Sequence, residues 1–299
     1  MSPRYSVIVP VFNRADKVGR AIKSVRRAAT TAAVTAEVIV VDDASTDSSV
    51  AIAREAGADV LVERTTNGGV TAARNDAIDR ATGEYLVLLD SDDELTPEAF
   101  RESERFFAGR PEIDILFGAC VDRAGKMMHR RDAIQGDATY EQLLRHGAGG
   151  EFMPVSKRRI FEHLRFEANL RGFESITWLK IVRDGWRIHY SNVVLRIYDR
   201  SGTDRLCDRA NMLRASARMS IGWQSFLNEF GDDLWCLSKM GYIATLLRLL
   251  VYGRMGGVPR AALALRVAGR PGRRLATSYL TAFAVALPKS MLVWWFERR

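Results

Sequence analysis

Apolar runs alternate with helix-like segments through the first 120 residues, and this alternation limits the possible folds more than any other feature. The apolar runs cover residues 5–11, 37–42, 59–62, 84–90 and 113–121. Helix-like segments separate them, over residues 16–28, after Ser45, over 69–80 and over 97–108. Alternating strands and helices predict a mostly parallel sheet, and continuous apolar runs are typical of strands buried on both faces. We therefore expect an α/β fold, Rossmann-like, with helices flanking the sheet.

The pattern changes twice after residue 150. Residues 152–198 are less regular and predict one helix over 174–184 and strands over 186–190 and 193–198. After Asp208 the sequence predicts helix almost throughout, interrupted by glycine and proline. We expect one α/β domain over residues 1–207 and a helical region over residues 208–299.

Composition excludes several classes of protein. Hydrophobic residues make up 47% of the 299, which is enough for a sizeable core. The polar start of the chain, MSPRYSVIVPVFN, lacks the basic and apolar stretches of a secretory signal. The three cysteines are odd in number and lack metal-ligand spacing, which predicts a reducing, cytoplasmic compartment; they are Cys120, Cys207 and Cys236.

Positive charge is concentrated at the C-terminal end. The net charge is +8, yet the segment from Lys239 to Arg299 carries eleven lysines and arginines and one acid, Glu297. A tail of one sign predicts an anionic partner, either a membrane surface or a nucleic acid. The tail lacks the interleaved aromatic and basic residues of single-strand binders, so we expect no nucleic acid.

Two apolar segments lie in this basic region, over residues 243–252 and 275–296. Pro288 divides the second into pieces of about 13 and 7 residues, and both are shorter than the roughly 20 needed to span a bilayer. The end of the chain holds residues typical of membrane interfaces, Trp294, Trp295, Arg298 and Arg299. We expect helices lying in an anionic membrane surface, the alternative being helices that pack on protein.

Polar side chains follow three of the predicted strands. Asn13 comes after the first strand, Asp42 and Asp43 end the second, and the cluster from Asp90 to Asp93 ends the fourth. Ligands of open parallel sheets bind outside the carboxyl ends of the strands. We expect all of these side chains to face one crevice.

The cluster Asp90-Ser91-Asp92-Asp93 gathers three carboxylates in four residues. A hard divalent cation, Mg²⁺ or Mn²⁺, relieves their repulsion and typically binds one or two carboxylates together with substrate phosphates. Such a metal would neutralise charge on a departing diphosphate. The alternative is an acidic N-terminus for the helix that begins at Pro97.

Two further clusters have both a functional and a local interpretation. In the stretch from Asp42 to Asp47, a carboxylate could accept a hydrogen bond from a nucleotide base, or Ser45 could cap the next helix. The glycines after Asn67 allow a close backbone approach, and Arg74 one turn later suits phosphate. The alternative for the glycines is an ordinary turn.

Four segments in this order resemble the inverting family 2 glycosyltransferases of the GT-A fold, including those that build bacterial surface polysaccharides. The segments are SVIVPVFNRADKVGRAIKSV (6–25), VIVVDDASTDSS (38–49), NGGVTAARNDAI (67–78) and GEYLVLLDSDDEL (83–95). The resemblance is close over about residues 5–120 and looser over 150–206.

The resemblance implies a nucleotide-diphospho-sugar donor, expected to be a UDP-sugar. It implies that Pro10, Phe12 and Asn13 line the base pocket, where Phe12 replaces a common tyrosine. Asp43 resembles the uracil-reading carboxylate, with Asp42 beside it. Asn67, Gly69 and Arg74 resemble further donor contacts. Asp90-Ser91-Asp92 resembles the DXD motif, which binds the donor and, through Asp90 and Asp92 with adjacent Asp93, Mn²⁺ or Mg²⁺.

The resemblance also implies inversion by a single displacement, with a carboxylate base acting on an acceptor hydroxyl. The family commonly has a Glu-Asp pair near a helix start, but Ser175 interrupts it here. Counting back from Trp178-Leu179-Lys180 aligns Glu174 with the base, the alternative being a helix N-terminal acid. Arg200 and Arg205 are candidates for neutralising the leaving group, although a solvated loop accounts for them equally well.

The expected acceptor is a saccharide or a polyprenyl-linked sugar, used in cell-surface polysaccharide synthesis by an enzyme held on the inner face of the membrane. Two other functions remain open from the residues alone. A nucleotidyltransferase that makes sugar nucleotides would need a glycine-rich basic loop after the first strand, where this chain has Val11-Phe12-Asn13-Arg14. A non-catalytic membrane-surface protein would leave the aspartate clusters unexplained.

Overall fold

The computed structural model describes residues 2–167, 170–201, 209–263, 265 and 272–278. The chain forms two compact units, Met1–Ser201 and Gly202–Arg299. The first unit holds the sheet, and the second is helical in the part that the structure describes.

The first unit is built on one large sheet with the strand order β3-β2-β1-β4-β8-β6-β9-β5 and with β7 paired to β9. β3, β2, β1 and β4 are parallel, β6 is parallel to β9, and β8 lies antiparallel between β4 and β6. The sheet is mostly parallel, as the sequence predicts. The strands are β1 Tyr5–Val11, β2 Ala36–Asp42, β3 Val60–Glu63, β4 Tyr85–Leu88, β5 Glu94–Leu95, β6 Ile115–Asp122, β7 Gly136–Ala138, β8 Phe152–Lys157 and β9 Ile188–Tyr198.

Helices of the first unit follow the strands along the chain. They are α1 Val18–Ala32, α2 Ser49–Glu55, α3 Val70–Ile78, α4 Ala99–Gly109, α5 Tyr140–His146 and α6 Glu174–Arg183, with a 3₁₀ turn at Arg158–Glu162. The apolar positions of α1 recur at helical spacing, so Val18, Ile22 and Val25 form one face. That face is buried in the same core as the side chains of β1 and β2, so α1 packs against the strands whose ends carry the predicted site residues.

Two features of the sheet differ from the predicted pattern. β8 is an antiparallel strand in a stretch that the sequence leaves irregular, and it separates β4 from β6. β9 is a single strand where the polar break near Ser191 predicts two. Register shifts around Ala119 on β6 accommodate this break, so that pairing continues to Tyr198.

The described part of the second unit contains α7 Arg209–Arg214, α8 Ser216–Leu237, α9 Lys239–Met255, a 3₁₀ turn at Arg260–Leu263 and helix over 272–278. The Ser238 hydroxyl accepts a hydrogen bond of 3.0 Å from the Gly241 N–H and caps α9. The guanidinium of Arg273 is buried against the ring of Tyr242 and pairs with Asp232.

The structure describes the first of the two predicted membrane segments and only the beginning of the second. Residues 243–252 lie in α9, and Leu246, Leu249 and Leu250 are buried there, as in a helix that packs on protein. The surface-lying arrangement predicted for this segment therefore gains no support. The segment 275–296 lies outside the described residues from 279 onward. None of the helices that the structure describes combines the length and the hydropathy of a transmembrane span.

Candidate active site

The ends of β1 and β2 are joined by hydrogen bonds between the loops that follow them. The Thr46 N–H donates to Asn13 Oδ1 at 2.8 Å, and the Asn13 N–H donates to Ser45 Oγ at 2.9 Å. Asn13 has a φ of 50°, in the left-handed region that asparagine tolerates better than most residues. Phe12 is 44% exposed at the end of β1, whereas Pro10 is buried within the strand.

Asp43 binds the glycine turn that precedes α3. Its Oδ1 accepts from the Gly68 N–H at 2.8 Å, and its Oδ2 accepts from the Gly69 N–H at 2.7 Å. The Arg64 guanidinium lies 3.0 Å from Oδ1, and the Asn67 amide donates to the Asp43 carbonyl at 3.1 Å. The carboxylate therefore links the end of β2 to the turn, and both of its oxygens have donors.

Asp42 is differently engaged, although it is equally buried. Its Oδ2 accepts a hydrogen bond of 2.9 Å from the Ser45 N–H. Its Oδ1 is buried and has no hydrogen-bond partner among the described residues. An unpaired buried acceptor is costly, so this oxygen would gain from a donor supplied by a ligand.

The carboxylates after β4 differ in how many cations they meet. Asp90 meets two, because its Oδ1 is 2.8 Å from Arg74 Nη2 and its Oδ2 is 3.6 Å from Arg196 Nη1. Both side chains are partly exposed, but the ion pair of Asp92 is longer, with Oδ2 at 3.9 Å from Arg14 Nε. Ser91 between them is buried. Asp92 is therefore the carboxylate of this pair with more capacity for a ligand.

Asp93 points into the protein. Its Oδ1 accepts from the Asp199 N–H at 2.7 Å, and its Oδ2 lies 3.3 Å from Arg196 Nε. The side chain is 2% exposed. These contacts tie the loop after β4 to the end of β9, and this burial argues against direct metal ligation by Asp93.

Burial and neighbouring charges separate the pKa values of the three carboxyls. Burial would raise the pKa of Asp90, but Arg74 and Arg196 hold it below its ordinary value. Burial, together with the negative charge of Asp90, raises the pKa of Asp92. Burial raises the pKa of Asp93 to about 7, with Asp90 adding to the effect and Arg196 opposing it.

The donor set fits a hard divalent cation only with help from a substrate. Among the described residues, no group of three histidine, cysteine, aspartate or glutamate side chains is arranged to hold a metal ion. Asp90 and Asp92 offer carboxylate oxygens, the ligands that Mg²⁺ and Mn²⁺ prefer. Such ions usually bind one or two carboxylates together with phosphate oxygens, so these residues suit a metal that arrives with a diphosphate.

Glu174 is the first residue of α6 and lies beside Arg74. Its Oε1 is 3.2 Å from Arg74 Nη1, and its side chain is 24% exposed. The segment before α6 is held to α3, because the Asn75 amide donates to the Phe166 carbonyl at 2.7 Å and accepts from the Phe166 N–H at 2.9 Å. Arg74 thus contacts both the carboxylate after β4 and the predicted base.

Arg196 is the site residue that the sequence does not single out. It is almost fully buried on β9, contacts Asp90 and Asp93, and also lies 3.8 Å from Glu151. A charged residue inside an apolar strand run was the available signal, since buried charges are normally paired. Of the predicted leaving-group residues, Arg200 pairs with Asp122 at 3.6 Å. Arg205 lies outside the described residues.

The sequence comparisons identify a family profile and similar glycosyltransferases. The profile described as glycosyl transferase family 2 matches residues 6–161. The chain is 27% identical over 206 residues to the GalNAc(5)-diNAcBac-PP-undecaprenol beta-1,3-glucosyltransferase of Campylobacter jejuni, covering 66% of this chain and 64% of that protein. It is 41% identical over 120 residues to the poly(ribitol-phosphate) beta-glucosyltransferase of Bacillus spizizenii, covering 38% of this chain and 19% of that protein.

Solved structures share the fold at low sequence identity. Residues 1–349 of TarS from S. aureus, in complex with UDP-GlcNAc, superpose with a TM-score of 0.61 at 18% identity, covering 95% of this chain and 90% of that one. The mannosyltransferase PcManGT from Pyrobaculum calidifontis, in complex with GDP-Man and Mn²⁺, superposes with a TM-score of 0.58 at 22% identity, covering 98% and 85%. At these identities the likeness establishes the GT-A fold.

Proposed function

Since this chain belongs to the family 2 glycosyltransferases, we propose that it transfers a sugar from a UDP-sugar to an acceptor hydroxyl, with inversion at the anomeric carbon. The observation that carries the proposal is the contact of Arg74 with both Asp90 and Glu174, at 2.8 and 3.2 Å. It brings a candidate donor-binding carboxylate and a candidate base, 84 residues apart in sequence, to one guanidinium.

The nucleotide would bind across the ends of β1 and β2. Asn13 and Phe12 would border the base pocket, together with Pro10 in the buried strand β1. Asp42 would supply a buried oxygen that has no hydrogen-bond partner within the described part of the chain. Asp43 would hold the turn containing Asn67 and Gly69 in place. The TarS complex with UDP-GlcNAc supports UDP as the nucleotide.

The diphosphate would lie near the loop after β4. Asp92 and Asp90 would hold Mn²⁺ or Mg²⁺ together with phosphate oxygens, and such a cation, when bound, offsets the charge of the leaving diphosphate. The Mn²⁺ in the PcManGT complex supports this assignment. Ser91 lies between the two carboxylates in sequence. Asp93 would not bind the cation but would position Arg196 and the end of β9.

Glu174 would serve as the general base. Its carboxylate takes the proton of the acceptor hydroxyl while the hydroxyl oxygen attacks the anomeric carbon from the face opposite the diphosphate. The bond from that carbon to the diphosphate oxygen breaks, and UDP departs with the bonding electrons. A single displacement of this kind inverts the anomeric configuration.

The acceptor is proposed to be a saccharide, carried on a polyprenyl diphosphate, in cell-surface polysaccharide synthesis. The undecaprenol-linked substrate named for the Campylobacter relative supports a lipid-linked acceptor. The basic segment from Lys239 to Arg299 would hold the enzyme on the anionic inner face of the membrane, each basic residue near the surface adding about 1 kcal/mol. Neither a nucleotidyltransferase nor a non-catalytic role gains support from the family match.

The proposal is tested by measuring UDP release from UDP-sugars, with Mn²⁺, with Mg²⁺ and with EDTA. We expect a slow metal-dependent release in the absence of acceptor and a faster one with a polyprenyl-linked saccharide. Release of pyrophosphate from UTP and a sugar phosphate, without release of UDP from any UDP-sugar, would instead identify a nucleotidyltransferase.

A further inference from the structure

Arg74 pairs with two carboxylates that have different proposed roles, one in donor binding and one as the general base. Nη2 pairs with Asp90 after β4, and Nη1 pairs with Glu174 at the start of α6. The Arg74 side chain is only 11% exposed, and its Nε is buried without a hydrogen-bond partner among the described residues. Its position is therefore set by these two pairs and by the Phe166 ring, 6.0 Å from its centre.

The two carboxylates do not depend on Arg74 equally. Asp90 has a second cation, because its Oδ2 lies 3.6 Å from Arg196. Glu174 has no other ion pair among the described residues. If the guanidinium turns toward an anionic ligand, Asp90 keeps a counter-ion and Glu174 loses one.

The pair with Arg74 Nη1, at 3.2 Å, occupies Oε1 of Glu174. That oxygen is more accessible to an acceptor hydroxyl when Arg74 is engaged elsewhere. A nucleotide diphosphate brings several oxygens that arginine binds well. The donor and Glu174 therefore compete for the Arg74 guanidinium.

We propose that Arg74 is a positioning residue that couples donor occupancy to the general base: it pairs with Glu174 in the donor-free enzyme and leaves Glu174 when it contacts the nucleotide. This inference rests on the proposed function. It implies that Glu174 is held away from proton transfer until the donor is bound. Because coupling between sites is reciprocal, Glu174 must also weaken the binding of UDP.

The test is a calorimetric titration with UDP at fixed Mn²⁺, for the wild type, Glu174→Gln, Arg74→Gln and the double variant. We expect Glu174→Gln to bind UDP about two- to fivefold more tightly than the wild type, the range of a partly exposed ion pair. In the Arg74→Gln background the same substitution should change the affinity by less than about 1.5-fold, since the interaction it removes is already absent.

Glu151→Gln is the matched control. Glu151 lies near the same carboxylates, 3.8 Å from Arg196, but has no contact with Arg74. Unchanged UDP affinity in this variant supports the specific pair, whereas equal tightening in Glu151→Gln and Glu174→Gln overturns it in favour of a general charge effect. UDP affinity that Glu174→Gln leaves unchanged, or raises equally in both backgrounds, also overturns the coupling. A wild-type enzyme that fails to bind UDP contradicts the proposed function itself.

Discussion

Asp43 Oδ2 accepts a hydrogen bond of 2.7 Å from the backbone N–H of Gly69, a residue with a φ of 84°. A side chain at the end of β2 therefore holds a turn in a conformation that favours glycine. The turn leads into α3, which carries Arg74 toward Asp90 and Glu174. Asp43, which is predicted to bind the nucleotide base, thus also helps to position α3 and its Arg74.

Asp43→Ala should weaken UDP binding and leave kcat at saturating donor little changed. The variant loses both acceptors of the glycine turn, and contacts made equally in the ground and transition states alter affinity more than the bound-state rate. Asp76→Ala is the control, because Asp76 pairs with the same Arg64 but does not contact the turn. Unchanged UDP affinity together with a large fall in kcat would contradict this role.

Glu174→Gln should lower the rate of sugar transfer by about a hundred- to ten-thousand-fold, the usual effect of a lost general base. UDP affinity should not fall, since the amide removes no contact proposed for the donor. Glu167→Gln is the control and should remain active, because Glu167 pairs with Lys180 of α6 and not with Arg74. If Glu174→Gln is active and Asp199 or Asp204 proves essential instead, the alignment around Trp178 is wrong.

Asp93 should make the protein less stable as the pH rises. Folding raises the pKa of this carboxyl from an ordinary 3.8 to about 7, through burial and the nearby Asp90 charge. Between these values the folded state binds more protons than the unfolded state, so the Asp93 contribution to the free energy of unfolding falls as the pH increases.

Asp93→Asn should remove that contribution, because the amide does not titrate and can still accept from the Asp199 N–H. The measurement is urea unfolding of both proteins from pH 5 to pH 8. We expect the stability of the wild type relative to Asp93→Asn to decrease across this range. A constant difference would show that Asp93 stays ionised in the folded protein, neutralised by Arg196.

The C-terminal segment should account for membrane binding. Deletion of residues 279–299 removes three basic residues and two tryptophans, namely Lys289, Arg298, Arg299, Trp294 and Trp295. It removes no residue of α8 or α9. We expect the wild type to co-sediment with vesicles containing anionic lipid at low salt, and the deletion variant to bind them more weakly while keeping its UDP affinity. Equal sedimentation of the two proteins would assign this segment to packing rather than to the membrane.

Local patterns predict the parallel half of the sheet well. Strands buried on both faces are uniformly apolar, so they are easily located in the sequence. β1 lies where the run YSVIVPV predicts it, and β2 begins one residue earlier than expected. The acids that end these strands follow from the same pattern. The start of helix α5 is also predictable from the sequence, since Thr139 and Gln142 form a capping box.

The remaining features depend on contacts distant in sequence. Nothing in the local pattern around Pro154 indicates that β8 runs antiparallel between β4 and β6. The charge of Arg196 within an apolar strand run signals a buried partner, but only the structure shows that the partners are Asp90 and Asp93. The different environments of Asp90, Asp92 and Asp93 likewise arise from tertiary packing, which spacing along the chain does not encode.

The crevice is proposed to bind a UDP-sugar together with a divalent cation held at Asp92. The most direct measurement is the melting temperature of the wild type and of Asp92→Asn, with UDP-sugars and GDP-mannose, in Mn²⁺ and in EDTA. A ligand that binds only the folded state raises the melting temperature. We predict that a UDP-sugar does so for the wild type in Mn²⁺, with a much smaller rise in EDTA or in Asp92→Asn. The absence of a rise with every nucleotide sugar would show that the crevice does not bind this donor class. An equal metal-dependent rise in Asp92→Asn would show that Asp92 does not hold the cation.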